Sequence, residues 1–458
     1  MTTRTANPVS GPFVATRNAC KLCTPLGACL AFAGVEGART ILHGSQGCAT
    51  YIRRYMISHF KEPVDIASSN FSESATIFGG RDNLQDGLAN VTRQYQPAVI
   101  GIATTCLAET IGEDVGMYLH EIRSQASPDG PALPPVVHVG TPSYCGTHAE
   151  GYLATVHALV SQLAEDGSQR DHINVFPNMF SPADLRYLKE IGADFGLPVT
   201  LLPDYSDTLD GPTWEEYQLI PQGGTPLAAV RRTGQARSSI EFTWVHGEKA
   251  SAGQWLEEHF GVRNHRLPVP IGIRASDALF DVLGSICDRE TPARHAAERG
   301  RLIDSLIDGH KYLFERRAVV FGEEDLVAGI VGLLGELGVH PVLCASGGDT
   351  GRLRSAIARL VPDQADRIQV RQATDFADLE ELAGDLKPDI LIGNSKGYWL
   401  SRRLKAPLVR IGFPIHDRVG GARLLHVGYR GAQQLADRIV NTLLESLQEQ
   451  SDEGYSYL

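Results

Sequence analysis

From about residue 90 onward, short β-branched runs alternate with longer stretches whose apolar positions fall at helical spacing. That alternation is the signature of βαβ units, whose strands lie parallel. The pattern predicts a strand over 98–105, a helix over 108–123, a strand at Val136 to Val139 and a helix from Glu150 to Ala164. The polar stretch 165–171 marks a boundary. The alternation restarts at Ile173 to Phe176. Ser181-Pro182 then supplies an N-cap and a first-turn proline for a helix running to Gly196, and Val199 to Leu202 is the next strand. A third restart begins near Arg317. It comprises a strand at Ala318 to Phe321, a helix through Leu337 ended by Gly338, and strands at Val339 to Leu343, Asp389 to Ile392 and Pro407 to Ile411. The stretch from Ala293 to Asp308, preceded by Thr291-Pro292 as N-cap and first-turn proline, reads as a long helix joining the second and third units. The expectation is an α/β protein of three doubly wound units, each of roughly 130–160 residues, with mainly parallel sheets. The boundaries fall at 1–168, 169–295 and 296–458, and the last unit carries a C-terminal helix.

Composition narrows the classes. A chain of 458 residues is too long for one ordinary core. Its 43% hydrophobic and 21% charged residues describe a soluble globular protein. A net charge of −12 argues against nucleic acid as a partner, because phosphate binding needs a basic footprint. The sequence has no apolar run long enough for a membrane span. The first twenty residues lack the apolar core of a signal peptide, so the expected location is cytoplasmic. Eight cysteines are too sparse for a disulfide scaffold and favour thiol, metal or redox roles.

Three of those cysteines stand out. Cys23 precedes a helix predicted to start near Pro25, whose N-terminus would stabilise its thiolate. Cys48 closes His43-Gly44-Ser45-Gln46-Gly47-Cys48, a glycine-flanked loop whose backbone N–H groups can approach an anion or a cluster sulfide; the same segment also reads as a plain βα turn. Cys106 follows the predicted strand 98–105 through Thr104-Thr105. Cys48 and Cys106 thus sit at the carboxyl edge of an open α/β sheet, where such folds bind ligands. Soft thiolates there suit iron–sulfur chemistry better than hard ions. Thr141-Pro142-Ser143-Tyr144-Cys145 follows the next strand, so Ser143 or Cys145 can supply an extra ligand.

Other features read blandly. Cys20 makes a C-x2-C pair with Cys23, but no second pair completes a zinc ribbon, and Cys20 reads as an incidental small residue. Cys29, Cys287 and Cys344 read as core thiols. His148 reads as a helix-start or surface histidine, and His59 to Pro63 as a charged loop. Ser346 to Gly351 lacks the lysine and spacing of a P-loop. The sequence also has no dinucleotide fingerprint, G-x-S-x-G elbow or H-E-x-x-H motif, which disfavours a hydrolase or a nicotinamide enzyme.

Together the Cys23, Cys48 and Cys106 segments, with His59-Phe60-Lys61-Glu62-Pro63-Val64, Ile77-Phe78-Gly79-Gly80 and Thr141-Pro142-Ser143, resemble the nitrogenase component 1 family in its β-type branch. The first 150 residues carry the densest resemblance. Weaker matches are Leu202-Pro203-Asp204, Gly393-Asn394-Ser395 and Gly412-Phe413-Pro414-Ile415-His416-Asp417-Arg418. The resemblance implies three Rossmann-like αβα domains. It also implies a P-cluster-like 8Fe–7S cluster, or a single 4Fe–4S cluster, held by Cys23, Cys48 and Cys106 at an α/β subunit interface, with Ser143 matching a serine that joins the cluster on oxidation. The implied partners are a homologous α-type subunit in an α2β2 heterotetramer and an ATP-dependent iron protein. The reacting cofactor would sit in the α-type subunit, and no catalytic residue is expected in this chain.

Two functions follow from that resemblance. One is the electron-relaying β-type subunit of a nitrogenase-like reductase, best matched by methylthio-alkane reductase, which cleaves carbon–sulfur bonds. The other is the β-type scaffold for iron–molybdenum cofactor assembly. A third reading is a tetrapyrrole-reducing relative with one four-iron cluster. The chain begins about twenty residues before Cys23, without the long N-terminal arm of molybdenum nitrogenase β chains, and the wording around its cysteines is closer to scaffold-like and nitrogenase-like members. Retention of all three cysteines favours the reductase.

Overall fold

The computed structural model describes residues 18–125, 133–246 and 251–452, so most of the first twenty residues lie outside it. Among the described residues, thirteen strands form three sheets, and every strand pairing within them is parallel. The first sheet contains β1 (Ala38–His43), β2 (Ala67–Ser68), β3 (Val99–Thr104) and β4 (Val136–Val139) in the order β2-β1-β3-β4. The second contains β5 (Ile173–Phe176), β6 (Val199–Leu201), β7 (Ser238–Glu241) and β8 (Asn264–Arg266) in the order β6-β5-β7-β8. The third contains β9 (Arg317–Phe321), β10 (His340–Ala345), β11 (Gln369–Arg371), β12 (Ile390–Gly393) and β13 (Leu408–Arg410) in the order β11-β10-β9-β12-β13.

Each order reverses direction once, between β1 and β3, between β5 and β7, and between β9 and β12. Crossovers leave the sheet on opposite faces at such a reversal and open a crevice beyond the carboxyl ends of the two strands. The strands that flank these reversals are almost wholly buried, as parallel sheets covered on both faces require. The α/β class and its mainly parallel sheets are therefore as expected.

Several local expectations change. The helix expected over 108–123 is two helices, Cys106–Ile111 and Val115–Ser124, because Gly112 adopts φ 81° and ends the first. His59 lies in the last turn of the helix Gln46–Phe60 rather than in a charged loop; Lys61, left-handed at φ 66°, ends that helix. The long helix runs from Ala293 to Leu313, with Pro292 at the N-cap position in place of Thr291. Cys287 is half-buried rather than core. Cys29 and Cys344 are buried, and burial pushes both thiols' pKa values up.

Candidate functional site

The reversal in the first sheet lies between β1 and β3, whose carboxyl ends are in register at His43 and Thr104. Beyond His43 the chain passes through Gly44 and Ser45 into α2 (Gln46–Phe60), which carries Cys48 as its third residue. Beyond Thr104 a single residue, Thr105, leads to Cys106 at the start of the helix Cys106–Ile111. A Cβ on Gly44 would stand 1.9 Å from the Thr105 hydroxyl, so only glycine lets the two turns lie this close.

Buried polar contacts fix both turns. The Ser69 hydroxyl accepts from Gly44 N at 2.9 Å and contacts His43 Nδ1 at 3.1 Å, while His43 Nε2 meets Glu113 at 2.9 Å. Glu113 in turn accepts from the backbone of Gly80 at 3.0 Å. The Thr141 hydroxyl donates to Thr104 O at 2.6 Å and ties the β4 edge to the β3 edge.

Cys23 arrives from a different direction. It is the N-cap residue of α1 (Thr24–Ala33), an apolar helix with Pro25 in its first turn. This helix crosses the helix His148–Leu163 backbone to backbone. A Cβ on Gly27 would lie 1.7 Å from His148 O, and one on Gly151 would lie 2.0 Å from Thr24 O. The close crossing brings Cys23 to the loop after β4, where Ser143 bridges two cysteine segments. Its hydroxyl accepts from Thr24 N at 3.1 Å, and its own N–H donates to Cys106 Sγ at 3.2 Å. Cys145, two residues on, is exposed.

Cys23, Cys48 and Cys106 are all half-buried. Burial, then the charges of Cys106 and Cys23, push the Cys48 thiol's pKa up, so Cys48 lies within electrostatic reach of both. Among the described residues, no group of three or more His, Cys, Asp or Glu side chains is arranged to hold one metal ion. Soft thiols at one sheet edge suit iron–sulfur chemistry better than hard ions, and bound iron would lower the energy of their thiolates. Cys23 and Cys48 also face the positive ends of α1 and α2. Cys20 is buried, and burial followed by Glu323 raises its thiol to about 12, so it stays protonated near neutral pH.

Three contributors lie outside the predicted ligands. His148 starts its helix as expected but is buried rather than on the surface. The segment of His59 carried a signal only through the family resemblance, and Lys396 gave no sequence signal. The His148 side chain is buried, with Nδ1 accepting from Leu22 N at 3.3 Å and Nε2 at 2.6 Å from Glu323. His59 Nδ1 accepts from Ile415 N at 2.8 Å and anchors the loop after β13. Lys396 Nζ donates to Ala19 O at 2.7 Å and Lys21 O at 3.2 Å. Around the cysteines the surface is aromatic: Tyr51, one turn beyond Cys48, and Tyr144, beside Ser143, are exposed. Phe78 is 86% exposed on the short helix Glu73–Phe78. No helix among the described residues is long and apolar enough to cross a membrane.

Residues 23–444 match the family model described as nitrogenase component 1 type oxidoreductase. The nitrogenase molybdenum–iron protein β chain of Clostridium pasteurianum is 34% identical over 441 residues, covering 95% of each chain. Its counterpart in Methanothermobacter thermautotrophicus is 35% identical over 93% of this chain and 94% of the relative, and that of Azotobacter vinelandii 32% identical over 95% and 86%. A chain of the structure described as nitrogenase Cp1 at pH 6.5 superposes with a TM-score of 0.93, at 32% identity and 98% coverage of both chains.

Proposed function

This chain belongs to the nitrogenase component 1 type oxidoreductases, and on that premise we propose that it is the electron-relaying β-type subunit of a nitrogenase-like reductase. The observation that carries this reading is the convergence of Cys23, Cys48, Cys106 and Ser143 at the strand-order reversal of the first sheet. Cys23, Cys48 and Cys106 hold an iron–sulfur cluster of the P-cluster type there, and Ser143 stands ready as an oxygen donor. When bound, the cluster supplies one-electron oxidation and reduction.

The chain's own residues position it. The Ser69–His43–Glu113 contacts fix the Cys48 turn, and the Gly27/Gly151 crossing fixes Cys23. The half-exposed thiols and the neighbouring Tyr51 and Tyr144 suit closure by a homologous α-type subunit in an α2β2 assembly, served by an ATP-dependent iron protein. The same reading treats the chain as three units, 1–168, 169–295 and 296–458, and assigns the reaction to carbon–sulfur bond reduction of the methylthio-alkane reductase type.

The test is a redox-titrated EPR series on the complex purified anaerobically with its native partner. Several successive oxidation steps beside a separate cofactor signal are expected. A single four-iron signal would overturn the relay assignment in favour of a scaffold for cofactor assembly or a tetrapyrrole-reducing relative. Turnover of small organic sulfides by the intact complex tests the substrate class.

A further inference from the structure

The strand-order reversal of the third sheet lies between β9 and β12, and the crevice beyond it is filled by the chain itself. The residues that follow β9 include Glu323, and those that follow β12 include Lys396. Between them runs the segment leading to Cys23. Lys396 Nζ donates to Ala19 O and Lys21 O, Cys20 N donates to Thr374 O at 3.4 Å, and Ala19 pairs with Asp375 in an isolated antiparallel bridge. Asn394 holds the turn, its side chain accepting from Lys396 N at 3.1 Å and donating to Phe413 O at 3.1 Å. A crevice that in this architecture serves a ligand here grips a cysteine-bearing arm.

We propose that Lys396 is a positioning residue that pins the Cys23 arm and, through its positive charge, favours the reduced form of the iron–sulfur cluster assigned above. The inference rests on that cluster assignment. Lys396 is partly buried, and burial lowers the pKa of its ammonium group while Cys20, Cys23 and Glu323 act to restore it, so the amine and the Cys23 sulfur lie within each other's field. An added electron makes a cluster more negative, and a fixed cation held in a medium poorer in water than the surface stabilises that state more than the oxidised one. The two carbonyl contacts fix where the charge stands. A lysine on an unconstrained surface would be screened and would have no such effect.

The test uses the anaerobically purified complex as wild type, Lys396→Met and Lys396→Arg, with iron content and redox-titrated EPR midpoints as readouts. Lys396→Met removes the charge at similar length, and the expected result is a full complement of iron with the midpoint shifted to more negative potential. Lys396→Arg is expected to restore the wild-type midpoint. If Lys396→Met loses iron, the pinning role is supported provided Lys396→Arg retains it. The inference is overturned if Lys396→Met keeps iron and an unshifted midpoint, or if the arginine variant behaves like the methionine one. Absence of any cluster signal in the wild-type complex would sink the cluster assignment itself, and the inference with it.

Discussion

At Cys48, burial and two neighbouring thiols favour the protonated form, so loading the site with iron must displace protons, as thiolate ligation generally does. Cys48→Ala or Cys106→Ala removes a half-exposed side chain at a sheet edge, so a stability loss within about 1 kcal/mol is expected. Iron content and electron transfer should collapse together, as metal analysis and circular dichroism on the same preparation would reveal. Cys287→Ala should leave the cluster signal unchanged. His59 carries a different consequence. Burial lowers its pKa to about 3, while the unfolded chain takes up that proton below the ordinary value of 6.5. Between those values the unfolded state binds more protons, so stability is lost as pH falls through the window, at up to about 1.4 kcal/mol per pH unit. His59→Gln removes the titrating group, so its unfolding midpoint should drop less than wild type's between about pH 7 and about pH 5. Equal drops would show that His59 is not neutral in the folded chain.

At the scale of elements, the crossing of α1 with the helix His148–Leu163 is set by two glycines. Gly27→Ala or Gly151→Ala forces a methyl into a backbone carbonyl and should cost about 1–3 kcal/mol by overpacking. Because the crossing also places Cys23, reduced iron occupancy should accompany the lowered melting temperature; retained occupancy would show that Cys23 is positioned by other contacts. Periodicity made most of the framework legible. Buried β-branched strands such as β3 and β9 announce themselves, and Ser181-Pro182 opens its helix as expected, with Ser181 and Asp184 forming a capping box. It fails where buried strands are polar. In β7 all four residues, Ser238 to Glu241, are buried. They are accommodated because Asn174 donates to the Ser239 hydroxyl, Ser238 donates to Arg263 O, and Glu241 accepts from Ala252 N. None of those partners adjoins β7 in sequence. Cys48 and Cys106 were readable because a strand, a short turn and a helix place them locally. Lys396 was not, because its partners lie about 375 residues away.

Across the whole molecule, the three sheets are joined by buried polar contacts as well as by the apolar core. Glu298 on the helix Ala293–Leu313 accepts from Tyr187 at 2.5 Å and from Arg430 at 2.7 Å, linking that helix to the helices Pro182–Asp194 and Gly428–Glu449. Asp325 accepts from Val245 N at 2.6 Å and Asn178 at 3.2 Å, joining the second and third sheets. Glu298→Ala removes the carboxylate shared by Tyr187 and Arg430, while Arg430 keeps Glu190 as its other partner. It should lower stability by about 1–2 kcal/mol, visible as an earlier thermal transition in the calorimeter; an unchanged transition would mean that the helices dock by apolar contacts alone. Lys396 adds a constraint in time. The arm bearing Cys23 leaves the ribosome well before its anchor, which is made 377 residues after Ala19. At about 5–20 residues per second, that is an interval of roughly 20–75 s. Through that interval the Gly27/Gly151 crossing can already hold Cys23 beside a finished first sheet, while the segment before it, at Ala19 and Lys21, still lacks its anchor. Metal delivered during synthesis would meet the three thiols before the charge of Lys396 stands near them, so a cluster loaded that early would gain this charge only when the third sheet folds.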